Sequence, residues 1–309
     1  MKLFLLSDTH LRQNNPENRK DDFFETQKFK FEWCLKKYKE ENCDLFLQAG
    51  DFFDSQNPSF LVLSTYLKLL SKYKIKINLV LGQHDYYYRS KKKIKKTGVG
   101  IFRSAGAVRI LGKKPFKYFK EGDKKVVHLY GASFGEKIPI PKKEKGFKVL
   151  VVHKMISPEA IYPGQDFIHP RVFGQKYSDY DLILCGDYHR PFSDVYGKDK
   201  FIFNTGVMVR KKIDEADIKP FCIVFDTEEM DSELFWIPFK PSEEVFEEVI
   251  ERIDTKDKEE LEKFLKYLSQ KETNKRKVSF QENLLKWYEK NNTNKKIINV
   301  IAEAQEEIK

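Results

Sequence analysis

Cysteine is scarce in this sequence: Cys34, Cys43, Cys185 and Cys222 are the only four among 309 residues. None form a CxxC pair, and their spacing suggests no zinc site, so four reduced, mostly buried thiols in a cytoplasmic protein are expected. Long apolar runs are missing too. No stretch approaches the roughly 18 apolar residues that a membrane span requires, and no membrane partner is expected. The apolar start at Met1 meets Ser7-Asp8 at once; it is too short for a signal peptide and reads as a first strand. No serine or cysteine stands in an obvious triad setting, which speaks against a covalent nucleophile. Histidine is also rare, with six in the whole chain, so where they fall carries information.

What is present is the composition of an ordinary globular protein, 40% hydrophobic, 34% charged and 14% aromatic, in a chain long enough for a large core and more than one domain. Lys and Arg number 57 against 47 Asp and Glu, a net charge of +10. That balance favours a polyanionic partner without identifying one.

Strand-like and helix-like segments alternate through the first two thirds. Lys2 to Leu6, Leu45 to Gln48 and Ile75 to Leu81 read as strands; Asp22 to Tyr38 and Ser59 to Lys72 carry helical spacing, the latter just after Pro58. This βαβαβ start predicts layered α/β packing. Lys125 to Tyr130, Lys148 to Val152 and Asp181 to Cys185 are further strands, and Phe201 to Phe203 and Phe221 to Phe225 later ones, joined by a hairpin-like excursion through Asp214 to Lys219. Val99 to Tyr118 reads as short strands and turns. After about Pro238 the texture becomes helical, over Glu243 to Ile253, Leu261 to Leu268, Phe280 to Tyr288 and Ile297 to Ala304. The division expected is 1–211 and 212–309. The run Lys91 to Lys96 reads either as a solvated loop or as a phosphate-backbone contact.

Four of the six histidines, His10, His84, His153 and His189, stand at or just beyond strand ends, near acidic residues or tight turns. Ligand groups gather at such ends in α/β proteins. In Asp8-Thr9-His10, residues two apart in an extended segment face one side, so a carboxylate and an imidazole can reach one ion. In Gly50-Asp51-Phe52-Phe53-Asp54, Asp51 can bridge two ions, because cations about 3.5–4 Å apart need a shared carboxylate between them. In Gly82-Gln83-His84-Asp85, the Gln83 carbonyl can ligate a metal, while His84 stays off it and donates to a phosphate or leaving oxygen, with Asp54 as its orienting partner. Asp85 serves the loop. His153 follows its strand directly, and Asp187 and His189 again lie two apart. His128, mid-strand with no acidic neighbour, and His169, before Pro170, read as structural.

These five elements in this order, DTH, GDFFD, GQHD, VVHKMI and GDYH, resemble the calcineurin-like metallophosphoesterases, and Gly98 to Val108 and Asn204-Thr205-Gly206 are similar to the SbcD-type nuclease subunit of DNA double-strand-break repair. The resemblance implies a four-layer αββα sandwich with a small α/β cap from about Lys212 and C-terminal helices. It implies one ion on Asp8, His10, Asp51 and His189, and a second on Asp51, Gln83, His153 and Asp187, with His84 catalytic. Family members carry Asn where this chain has Gln83 and His where it has Asp187. Gln reaches about 1.5 Å farther and Asp is shorter than His, so the two changes are expected to compensate, moving the second ion toward Asp187 and favouring hard Mn²⁺ or Mg²⁺. The activity implied is metal-dependent hydrolysis of DNA phosphodiesters, with DNA, a second copy of the chain and an SbcC-like coiled-coil ATPase as partners. The alternatives are a phosphoesterase acting on small phosphoesters or nucleotides, and a weakly active or inactive scaffold for DNA or the ATPase.

Overall fold

Alternating apolar side chains in the first strand already fix two layers. Leu3 and Leu5 point one way and Phe4 and Leu6 the other, and all four are buried, so the strand must be covered on both faces. In the computed structural model, which describes residues 1–86, 91–120, 122, 126–160 and 167–247, it is: Leu3 and Leu5 join a core shared between two sheets, and Phe4 and Leu6 join a core beneath helices.

The first sheet runs β12-β11-β1-β2-β3-β4, with β1 (Lys2–Leu6), β2 (Leu45–Gln48), β3 (Ile77–Leu79) and β4 (Val108–Ile110) parallel, and β11 (Phe221–Asp226) and β12 (Asp231–Trp236) added antiparallel beside β1. The second sheet runs β5-β6-β7-β8-β10-β9. Its parallel centre is β6 (Val127–Ala132), β7 (Phe147–His153), β8 (Leu182–Gly186) and β10 (Lys200–Asn204), and β5 (Phe116–Tyr118) and β9 (Phe192–Gly197) are its antiparallel edges. Leu47, Val149, Val151, Leu184 and Phe225 interleave between the sheets. Helices α1 (Phe23–Glu40), α2 (Phe60–Tyr73) and α3 (Gly98–Ser104) cover the outer face of the first sheet through Phe31, Cys34, Tyr66 and Phe102; Phe173 of α4 (Pro170–Lys176) covers the second. The result is the expected α/β/β/α order of layers. All four cysteines are buried and free.

Most expected elements form within a residue or two of their bounds, and the differences have local causes. Gly98–Ser104 is a helix, not strand and turn. Thr97 caps it, its Oγ1 accepting from Gly100 N at 3.2 Å. Its glycines are helix-poor residues kept for close packing: a Cβ at Gly98 would lie 2.4 Å from Pro58, and one at Gly100 1.9 Å from the Ile94 carbonyl. The excursion between β10 and β11 is no hairpin, because the two strands lie in different sheets; it holds only a 3-10 turn at Ile213–Glu215. The hairpin is β11 to β12 instead. Residues Met1–Glu247 make one compact unit, and β11 and β12, from the stretch expected in the second domain, belong to its first sheet. A last short helix, α5 (Ser242–Val245), ends where Phe246 turns extended. The helices expected beyond it lie outside the described residues.

His128 and His169 take structural places. His128 Nε2 lies 3.1 Å from the Lys145 carbonyl, and His169 caps α4, its Nδ1 accepting from Arg171 N at 3.2 Å.

Candidate metal centre

The parallel strands of both sheets end on one side, and their following loops meet there. β1 leads to Asp8 and His10, β2 to Asp51 and Asp54, β3 to Gln83–Asp85, β7 ends on His153, and β8 leads to Asp187 and His189. The loops turn sharply. Asp8, His10, Asp51 and Asp187 have φ of 26°, 43°, 48° and 92°, half of the eight non-glycine residues with positive φ among those described. Left-handed backbone at such residues is uncommon and costs on the order of 1–3 kcal/mol each, so the surrounding contacts must enforce it. Gly82 is demanded by crowding: a Cβ there would stand 1.9 Å from Asp51 Oδ1.

Buried Asp85 ties the second and third loops by accepting from Phe52 N, Phe53 N and Gly82 N at 3.0–3.2 Å, the loop role expected of it. The Asn204–Gly206 turn ties the first and fifth. Thr205 Oγ1 accepts from Ser7 N at 2.7 Å, and Asn204 Nδ2 donates to the Tyr188 carbonyl at 2.6 Å. Gln27, buried in α1, donates to the carbonyls of Thr9 and His10 and accepts from Arg12 N.

Asp51 lies at the centre. Its Oδ1 accepts from His84 N at 3.0 Å, while Oδ2 is buried with no hydrogen-bond partner. Around Oδ2 stand His153 Nε2 at 3.5 Å, His10 Nε2 at 3.7 Å and His84 Nε2 at 4.0 Å. His10 Nε2 is also 3.2 Å from His189 Nε2 and 3.9 Å from Asp8 Oδ1. On the other side His153 Nε2 is 2.9 Å from Gln83 Oε1 and 3.8 Å from Asp187 Oδ1, and Gln83 Nε2 donates to Asp187 Oδ1 at 3.2 Å. Metal–ligand bonds of about 2.1 Å set neighbouring donors roughly 3.0–3.4 Å apart, close to these spacings. Three overlapping trios lie within reach of one ion each: Asp8, His10 and His189; His10, Asp51 and His84; Asp8, Asp51 and His153. An orphaned carboxylate oxygen ringed by inward imidazole nitrogens fits a pair of divalent ions, with Asp51 between them.

The electrostatics agree. Burial lifts the Asp8 carboxyl to about 7 against the pull of His153 and His189, and burial with the Asp51 charge does the same for Asp85. Burial would raise Asp51 as well, but His153, His10 and His84 hold it below the usual carboxylate range. Burial, with the Lys211 charge, pushes His10 down to about 3. Cations among these carboxylates would supply the charge that burial denies them.

The imidazoles that face the centre meet oxygens at Nδ1, three of them through hydrogen bonds and His10 through ion-pair proximity alone, its buried Nδ1 having no hydrogen-bond partner. His153 Nδ1 lies 2.6 Å from the Ala49 carbonyl, His189 Nδ1 2.8 Å from Glu215 Oε1, and His10 Nδ1 3.3 Å from Asp54 Oδ1. His84 Nδ1 meets Asp54 through its main-chain carbonyl, at 3.0 Å. The expected pairing of Asp54 with His84 therefore exists, but not through the carboxylate, which is turned to His10, Arg12 Nη1 at 2.9 Å and Lys211 Nζ at 2.7 Å. Glu215 and Lys211 were not foreseen. Their only signal was polar residues shortly after Asn204-Thr205-Gly206, and nothing in spacing along the chain links Glu215 to His189.

The sequence profile described as "Calcineurin-like phosphoesterase" matches residues 1–191. The DNA double-strand break repair protein Mre11 of Methanosarcina acetivorans is 28% identical over 202 residues, covering 62% of this chain and 31% of that protein. Its counterpart of the same name in Methanosarcina mazei is 27% identical over 242 residues, covering 72% and 36%. The chain thus spans about a third of the length of these curated relatives. Among solved structures, the 5′-nucleotidase of Candida albicans aligns with a TM-score of 0.48 at 15% identity, over 86% of this chain and 58% of that one. A family match across most of the chain, and five motif loops gathered round a shared aspartate, make this chain a member of the calcineurin-like phosphoesterase family.

Proposed function

We propose that the chain hydrolyses phosphodiester bonds in DNA as a two-metal nuclease. The observation that carries the reading is the shared Asp51, with donor atoms on both of its sides, in a chain similar to two double-strand break repair proteins. Asp8, His10 and His189 hold one ion and Gln83, His153 and Asp187 the other, with Asp51 common to both. When bound, the ions neutralise phosphoryl charge and lower the pKa of a water for in-line attack. Gln83 and Asp187 offer oxygen donors, which favour Mn²⁺ or Mg²⁺.

His84 has a different part. Its side chain is 43% exposed, so it can meet a substrate. Its main-chain N–H donates to Asp51 and its Nδ1–H to the Asp54 carbonyl, so the doubly protonated ring presents Nε2–H to the phosphate or the leaving oxygen. Arg12, held by Asp54 at the rim, and the exposed Lys93, Lys95 and Lys96 suit a phosphate backbone.

Pairing of two copies is part of the proposal. Phe60, Leu61 and Ile101 are 89%, 47% and 43% exposed, and α3 starts against Pro58, beside the start of α2; such an apolar patch suits a helix-to-helix interface. Docking of an SbcC-like ATPase through the C-terminal segments expected from the sequence to be helical is part of the same proposal. A cytoplasmic place fits the free thiols, and no helix among the described residues is long and apolar enough to cross a membrane.

The test is cleavage by the metal-free chain reloaded with Mn²⁺, offered linear duplex DNA and, separately, a small aryl phosphodiester and a nucleotide monoester. Cleavage of the DNA supports the reading. Turnover of the small esters alone would replace it with a small-molecule phosphoesterase, and DNA binding without metal-dependent turnover with a scaffold.

A further inference from the structure

The oxygens behind the inward imidazoles differ between the two halves of the centre. His189 rests on the Glu215 carboxylate, whereas His153 rests on the neutral Ala49 carbonyl; His10 Nδ1 lies 3.3 Å from Asp54 Oδ1 without a hydrogen bond. A carboxylate accepting from the outer N–H of an imidazole fixes its tautomer and makes its inner nitrogen a stronger donor; a carbonyl orients the ring with less polarisation. The one carboxylate-backed ring, His189, lies on the Asp8 side. The other side has one imidazole, and its Gln83 donor is a neutral amide.

Glu215 is well placed to back His189. Its side chain is 5% exposed, and its second oxygen accepts from the main-chain N–H groups of Lys211 and Lys212. One oxygen is locked by backbone and the other is left for His189. Asp54 gives its hydrogen bonds to Arg12 and Lys211 and faces His10 by proximity alone.

We propose that Glu215 is a positioning residue which makes the Asp8–His10–His189 half the tighter of the two metal positions, so that the centre fills in a fixed order. This rests on the two-ion reading above. The Gln83–His153–Asp187 half is then the exchangeable position, and the supply of free divalent metal governs it.

The experiment is a calorimetric Mn²⁺ titration of the metal-free full chain, with electron paramagnetic resonance spectra at one and two equivalents. The wild type should show two events, the first tighter, with an isolated-ion spectrum at one equivalent and a spin-coupled spectrum only at two. Glu215→Gln should weaken the first event about 10- to 100-fold while sparing the second, so that the spectrum at one equivalent becomes mixed. Gln83→Ala should weaken only the second. If Glu215→Gln misfolds, as judged by its metal-free melting profile, Glu215→Asp carries the test: it keeps the charge but draws the carboxylate back from His189, with a smaller selective loss expected in the first event. Equal wild-type events, equal losses in both events, or no loss in either variant would overturn the inference and leave the two-ion reading standing. A wild type that binds no Mn²⁺ would overturn both.

Discussion

The two ends of the same parallel strands use aspartate to opposite effect. At the starts of the strands, Asp44 accepts from Lys2 N at 2.9 Å and pairs with Lys120, and Asp181 accepts from Lys148 N at 2.7 Å and lies 3.5 Å from Lys200. Both are partly open to solvent, and both stitch neighbouring strands together. At the other end, Asp8 and Asp51 are fully buried, carry left-handed backbone and face imidazoles at distances too long for hydrogen bonds. One end spends its carboxylates on stability. The other holds them in an arrangement that opposes stability until something positive joins them.

The sharpest way to break that contrast is Asp51→Asn. The amide keeps an acceptor for His84 N, so the loop should survive; metal binding and turnover should be abolished, and the metal-free variant should melt higher than the metal-free parent. A lower melting temperature would mean that Asp51 is structural. Next is His84→Ala, expected to reduce turnover about 10²- to 10⁴-fold with metal content, read by elemental analysis, unchanged. Loss of metal there would place His84 among the ligands.

A third change concerns Lys30, buried in α1. Burial, then the charges of Arg210 and Arg19, lower its ammonium to about 7. The folded state thus prefers the neutral amine, while the unfolded amine titrates at about 10.4. Stability should therefore fall as pH drops from about 10 to 7, with the full penalty present below 7. Lys30→Met should flatten that slope and add about 3 kcal/mol at pH 6, measured by urea unfolding across pH; a parallel slope in the variant would assign it to another group. The smallest effect belongs to the strand starts. Asp44→Ala or Asp181→Ala should cost about 1 kcal/mol in the same unfolding assay, and metal stoichiometry should not change.

The sequence made the inner ring of the centre legible because each part of it is local. A strand followed by Asp-x-His or Gly-Asp places a donor at a strand end wherever that strand lies in the sheet, and Asp8, Asp51, His153 and Asp187 do converge. Of the supporting ring, Asp85 and Asp54 were legible from their motifs, and the rest was not. Glu215 reaches His189 from a 3-10 turn, Lys211 reaches Asp54 from across the fold, and Gln27 reaches the first loop from mid-helix; only the tertiary fold brings each to its partner. The layered core was readable from the alternation of Leu3, Phe4, Leu5 and Leu6. The edge strand β12 was not, because it is exposed along nearly its whole length and carries no buried stripe.

The seating of β1 bears on how the chain reaches this state. It pairs with β2 on one flank (Leu3 with Leu45) and with β11 on the other (Phe4 with Val224). The second flank therefore stays bare until nearly all of the unit has been synthesised. Pairing so distant in sequence slows folding, and an uncovered apolar strand edge invites self-association. Chains cut before β11 should accordingly be recovered as aggregates rather than as smaller working enzymes.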